Sequence, residues 1–125
     1  MSVLMALVAI VMGGIAMAPA ASAAVPNGCG ALTNGHLCIN GPTPNAGTYT
    51  ASYMRFGGEG EITVRLGIEI KVERTGQIAQ TSWIGYKKTQ NGYASLSRYT
   101  LLDSEGCIRA IMEHGGTKFI SQWRC

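Results

Sequence analysis

Four cysteines, Cys29, Cys38, Cys107 and Cys125, have the most chemistry to offer in this chain. Thiols could hold a metal or close into disulfides. A zinc site wants Cys-x-x-Cys pairs, and none occurs. An even number of cysteines in a short exported chain reads as two cross-links. Cys29–Cys38 and Cys107–Cys125 are the expected pairs, because each brackets a hairpin. The second pair can be checked by counting. With Gly115-Gly116-Thr117 as the loop, His114 faces Lys118, Ile111 faces Ser121, and Cys107 falls opposite Cys125, within the short reach a disulfide needs.

Two histidines could move protons. His36 lies inside the Cys29–Cys38 loop and His114 sits beside Glu113 at a hairpin tip. Turn roles account for both. A triad of Ser104, His114 and Asp103 has no Gly-x-Ser-x-Gly elbow behind it. A ribonuclease-like hydrolase would need a base, a histidine acid and an arginine for phosphate. Glu69, Arg65 or Arg109, and His114 supply those types. Cross-strand ion pairing on a solvated sheet explains Arg65, Glu69, Lys71 and Glu73 more simply. Glu59 and Glu61 flank Gly60 and could touch calcium, but the alternating ligand run of an EF-hand is missing. No phosphate-cradling Gly-x-x-x-x-Gly-Lys occurs either. No catalytic residue, cofactor or metal ligand is therefore assigned.

Aromatic side chains point more clearly to a surface. Tyr49, Tyr53, Trp83, Tyr86, Tyr93 and Tyr99 fall on expected strands or at their ends, as does Trp123. Tyrosine and tryptophan offer large contact area with few rotatable bonds, which suits protein interfaces and sugar platforms. The first six are the candidate binding residues.

The element that must position these side chains is Glu61–Arg74. Ile62, Val64, Leu66, Ile68, Ile70 and Val72 occupy alternate positions, with Thr63, Arg65, Gly67, Glu69, Lys71 and Glu73 between them. A two-residue period is that of a half-buried strand. The run exceeds the usual strand length of about five or six residues, so a bend or bulge is expected at Gly67. Thr48–Phe56 alternates in the same way. It is expected to form a hairpin with the long run across Gly57-Gly58-Glu59-Gly60. Arg74–Gln77 turns into a strand over Ile78–Tyr86. Asn91-Gly92 signals a further hairpin into Tyr93–Leu102, and Asp103–Gly106 turns the chain again. The expected fold is all-β: a small antiparallel β-sandwich or barrel with hairpin connections, stapled by two disulfides.

Residues 1–23 read as a signal peptide. An apolar stretch over Val3–Ala18 runs into Pro19 and the small-x-small site Ala21-Ser22-Ala23, with cleavage expected before Ala24. A transmembrane anchor is the competing reading, and the shortness of the stretch argues against it. The remaining 102 of 125 residues suit one domain. Ala24–Gly47 is an uncharged leader rich in Gly, Pro and Asn, ahead of a β-domain over residues 48–125; the first charged side chain is Arg55. A net charge of +3 without clustered Lys and Arg argues against nucleic acid.

Three functions follow from these features. The first is a secreted, extracellular, non-enzymatic domain that binds a protein partner through the leader or a sheet edge, as an inhibitor or as an adaptor of a toxin-type assembly. The second is a glycan-binding module that uses exposed Tyr and Trp. The third is a small secreted hydrolase such as a ribonuclease.

Overall fold

The structure, a computed structural model, describes residues 28–57, 60–72 and 75–125. The expected signal peptide lies outside the described residues. Eight strands follow in order: β1 (Cys29–Leu32), β2 (Gly35–Asn40), β3 (Gly47–Arg55), β4 (Thr63–Val72), β5 (Gln77–Lys88), β6 (Tyr93–Thr100), β7 (Gly106–His114) and β8 (Thr117–Ile120). They form two antiparallel sheets with strand orders β1-β2-β3-β6 and β5-β4-β7-β8. The all-β sandwich with two disulfides is as the alternation predicts.

Its core lies between the sheets. Val64, Leu66 and Ile68 of β4 meet Leu37, Ile39, Tyr49 and Ala51 of the first sheet and Ile108, Ala110 and Met112 of β7. The apolar side of the Glu61–Arg74 alternation therefore faces inward. The strand shifts register between Leu66 and Gly67, where the bend is expected, and again between Ile70 and Lys71.

Two expected hairpins are not hairpins. β3 pairs with β2 and β6, whereas β4 pairs with β5 and β7, so the glycine-rich segment after β3 carries the chain from one sheet to the other. Asn91 and Gly92 do form a tight turn, with φ of 54° and 80° and Gln90 bridging Tyr93. Beyond that bridge β5 and β6 diverge into different sheets. Turn residues specify a reversal, but packing decides whether the flanking strands pair or cross.

The leader is also part of the body. From Cys29 to Asn40 it forms β1 and β2, and β2 hydrogen-bonds along β3 from Gly35 to Asn40. Leu37 and Ile39 are fully buried. The segment's lack of charge and scant periodicity hide these strands in the sequence. Sheet pairing needs neither: main-chain hydrogen bonds and two inward aliphatics are enough.

Both disulfides, Cys29–Cys38 and Cys107–Cys125, are formed as expected. The route to the second differs from the count. The loop after β7 has two residues, Gly115 and Gly116, both at positive φ, which suits a primed hairpin turn. His114 therefore faces Thr117, and Ile111 faces Ile120. Past β8 the register slips by one residue, so that Ile108 bridges Arg124 and Cys125 comes opposite Cys107. Ala110 N–H, opposite the slip, donates to Ser121 Oγ at 2.8 Å. The cross-link spans a sequence separation of 18. Replacing Cys107 and Cys125 together by serine is expected to cost about 3 kcal/mol on the chain-entropy model. Denaturant unfolding followed by tryptophan fluorescence measures it.

Disulfides persist in oxidising compartments, and this pair is consistent with an extracellular protein. Among the described residues, no helix is long and apolar enough to cross a membrane.

Candidate functional site

The two sheets present outer faces of opposite character. On the β5-β4-β7-β8 sheet, Arg65, Glu69, Lys71, Arg109 and Glu113 point outward in cross-strand register. Arg109 donates from Nε and Nη2 to Glu69 Oε1 at 2.8 and 2.7 Å, and Thr81 Oγ1 donates to Oε2 at 2.8 Å. Trp123, brought over by the slip after β8, roofs this group. Its ring lies 4.2 Å from the Arg109 guanidinium and 4.6 Å from Lys71 Nζ. At the other end of the face, Trp83 packs across Gly67, where a Cβ would meet the indole at 3.0 Å. The Arg65 guanidinium stands 4.4 Å from the Trp83 ring and 5.6 Å from that of Tyr86, and it pairs with Glu113 at 3.7 Å. Each of these rings already has a cation beside it.

Among the described residues, the outer face of β1-β2-β3-β6 carries no Asp, Glu, Lys or Arg. Its outward positions on β3 are Thr48, Thr50, Ser52 and Met54, and on β6 they are Tyr93, Ser95, Ser97 and Tyr99, paired rung by rung. Asn40 lies opposite Thr50 on β2. Thr50 Oγ1 and Ser97 Oγ share a hydrogen bond of 2.7 Å. Tyr99, 65 % exposed, and Tyr93, 44 % exposed, stand at the two ends of this hydroxyl-lined strip. Six residues of strand separate them by about 20 Å. Below Tyr93, His36 meets Phe56 edge-on at 5.0 Å.

The six candidate rings thus divide three ways. Tyr49 and Tyr53 belong to the core. Tyr49 spends its hydroxyl on the Asn45 carbonyl at 2.6 Å. Trp83 and Tyr86 lie on the charged face, with Tyr86 69 % exposed. Tyr93 and Tyr99 lie on the neutral one.

No protein-family model matches the sequence, and no curated protein matches it. Among solved structures, the Br derivative of BhCBM56 is similar at a TM-score of 0.45 and 15 % identity, over 78 % of this chain and 96 % of that one. At that level of likeness, nothing about ligands transfers between the two.

The groups considered for RNA cleavage do not converge. Glu69 and Arg109 sit on the outer face, whereas His114 follows the outward Glu113 and so points to the other side of β7. Five strand residues, about 16 Å, separate Arg109 from His114. His114 Nδ1 lies 3.1 Å from the Thr63 carbonyl oxygen. Among the described residues, no three His, Cys, Asp or Glu side chains are placed to hold a metal ion.

The hydroxyl strip is not evident in the sequence because its halves, on β3 and β6, are far apart in the chain and meet only by strand pairing. One available signal was the absence of charge: both outward series, Thr48 to Met54 and Tyr93 to Tyr99, alternate without a charged residue.

Proposed function

We propose that this protein is a secreted binding domain for a neutral polysaccharide, which it grips with the outer face of the β1-β2-β3-β6 sheet. The observation that carries this reading is the contrast between the faces. One sheet meets water with paired charges; among the described residues the other presents hydroxyls, an amide, an imidazole, sulfur, a methyl group and rings, with no charged side chain. Such a face suits a ligand that is itself uncharged and rich in hydroxyls. Ser and Thr hydroxyls both donate and accept, matching sugar hydroxyls in either sense. Exposed tyrosine rings supply the apolar area on which the C–H faces of sugar rings stack. The spacing of Tyr93 and Tyr99 suits an extended chain of several sugar units. A protein partner captured by a free leader has less support, since Cys29–Leu32 and Gly35–Asn40 of that leader are paired strands.

Retention on insoluble neutral polysaccharides, with a charged polymer as control, tests the proposal. Tyr99→Ala is expected to weaken retention roughly tenfold, about 1.4 kcal/mol. Ser97→Lys, which places a charge in the middle of the strip, should do at least as much. Raising the ionic strength should change little, because the face has no charge to screen. Unchanged retention in both variants, or no neutral polysaccharide retained at all, would overturn the reading.

A further inference from the structure

The two sheets close unevenly along the side where β5 and β6 are their edge strands. At one end Leu96 of β6 comes close to Gly85 of β5, where an added Cβ would meet the leucine Cδ1 at 3.8 Å. Toward the start of β5 and the end of β6, the edges leave a cleft of about 240 Å³. Ile68 and Ile70, from β4, give it an apolar floor, and Leu101, 79 % exposed, an apolar lip. Gln80, Ser82 and Thr100 supply an amide and two hydroxyls to its walls. Its size, just under the range of about 300–1,000 Å³ usual for ligand pockets, suits a single sugar-sized ring.

Arg98 supplies the charge. It lies on β6 between Leu96 and Thr100 in the inward series, and its Nη1 donates to Ser82 Oγ on β5. That partner is a neutral hydroxyl. The ion pairs among the described residues join Arg65 to Glu113, Lys88 to Glu61 and Arg109 to Glu69, and Arg98 belongs to none of them. Among the same residues no Asp or Glu lines the cleft. A guanidinium offers five N–H donors in a planar fork, so one donation to a hydroxyl leaves its charge uncancelled. A carboxylate is the group that fits such a fork. The amide and hydroxyls beside it both donate and accept, whereas the floor is apolar. Together they suit an acid whose ring carries hydroxyls on its edge and C–H groups on its faces. A fatty acid would leave the polar walls without partners.

We infer that this cleft is a second binding site, for a single sugar acid of the hexuronate type, free or at the end of a chain. Arg98 receives the carboxylate, Gln80, Ser82 and Thr100 pair with ring hydroxyls, and a C–H face of the ring lies on Ile68 and Ile70. The cleft adjoins the neutral strip at Tyr99, which lines it too. It differs from the strip in requiring a charge on its ligand, and it stands whether or not the strip binds a polysaccharide.

Amide-resonance titration with glucuronate and galacturonate tests it, with glucuronamide as the uncharged match. The acids are expected to shift resonances of Ile70, Ser82 and Thr100, with glucuronamide about tenfold weaker, because hydrogen bonds to a charged group are the stronger ones. Arg98→Gln removes the charge and keeps a polar amide. It should weaken glucuronate about tenfold while leaving the unfolding midpoint and the retention of neutral polysaccharide in place. Raising the ionic strength should weaken the acids and spare that retention. An oligosaccharide ending in one glucuronate unit separates the two sources: tighter binding than the free acid marks a chain end as the ligand, and equal binding marks the free acid. Three results would each overturn the inference: no shift by either acid in large excess, equal binding of acid and amide, or unchanged glucuronate affinity in Arg98→Gln. Should that variant fail to fold, the comparison of acid with amide on the unaltered protein still decides.

Discussion

Deleting residues 28–47 is expected to leave a chain with no cooperative unfolding transition. The deletion removes β1 and β2, and with them the Leu37 and Ile39 side chains, both fully buried. Emptying a core site of that kind costs about 2–5 kcal/mol each. Six rungs of pairing between β2 and β3 go as well, and Tyr49, Ala51 and Tyr53 lose their cover. Whole-domain stabilities are only about 5–15 kcal/mol, so these losses together exceed what such a domain holds in reserve. Circular dichroism through a thermal scan and dispersion of amide resonances would check the outcome. A truncated chain that still melted cooperatively would mean that the segment is an appendage after all. The same reasoning bars the deletion as a test of partner binding, since it removes the fold along with the segment.

The second large effect is expected at Glu69. This carboxylate is 10 % exposed, and the Arg109 side chain that grips it is 14 % exposed. Substitution Glu69→Leu leaves the guanidinium under Trp123 without its counter-charge and Thr81 without its acceptor. Breaking a buried pair from one side costs about 3–5 kcal/mol. The double variant Glu69→Leu/Arg109→Leu should recover most of that loss, because no orphaned charge remains. Urea unfolding gives both values, with Trp123 fluorescence reporting the local packing. A single-variant loss below about 1 kcal/mol would class the pair with ordinary surface ion pairs. Arg65–Glu113 is the internal comparison: at 3.7 Å, with side chains 34 % and 31 % exposed, it should fall within that surface range of about 0–1 kcal/mol.

Much of this architecture was legible before any coordinates. The alternation of Ile62 to Val72 named a strand and its buried side, because a two-residue period holds only one set of side chains against a core. Gly67 marked a shift in register, since a residue without a side chain resists none. The cysteine spacing gave both cross-links. Even there, the local rule was only half of the cause: the Gly115-Gly116 turn set one register, and the slip after Ile120 restored the other.

What the amino-acid order determined by itself was therefore local: which residues extend, which side of each strand is apolar, and where the chain reverses. Only the tertiary structure decided which sheet each strand joins, which tyrosines turn inward, and where the charges collect. Thr48–Phe56 and Tyr93–Thr100 could each have paired with the strand next to them in sequence, and a hairpin count alone favours that. They pair with each other instead, because closing a sandwich buries the apolar sides of both sheets at once. That gain comes from contacts between residues far apart in the chain, and no local pattern records it.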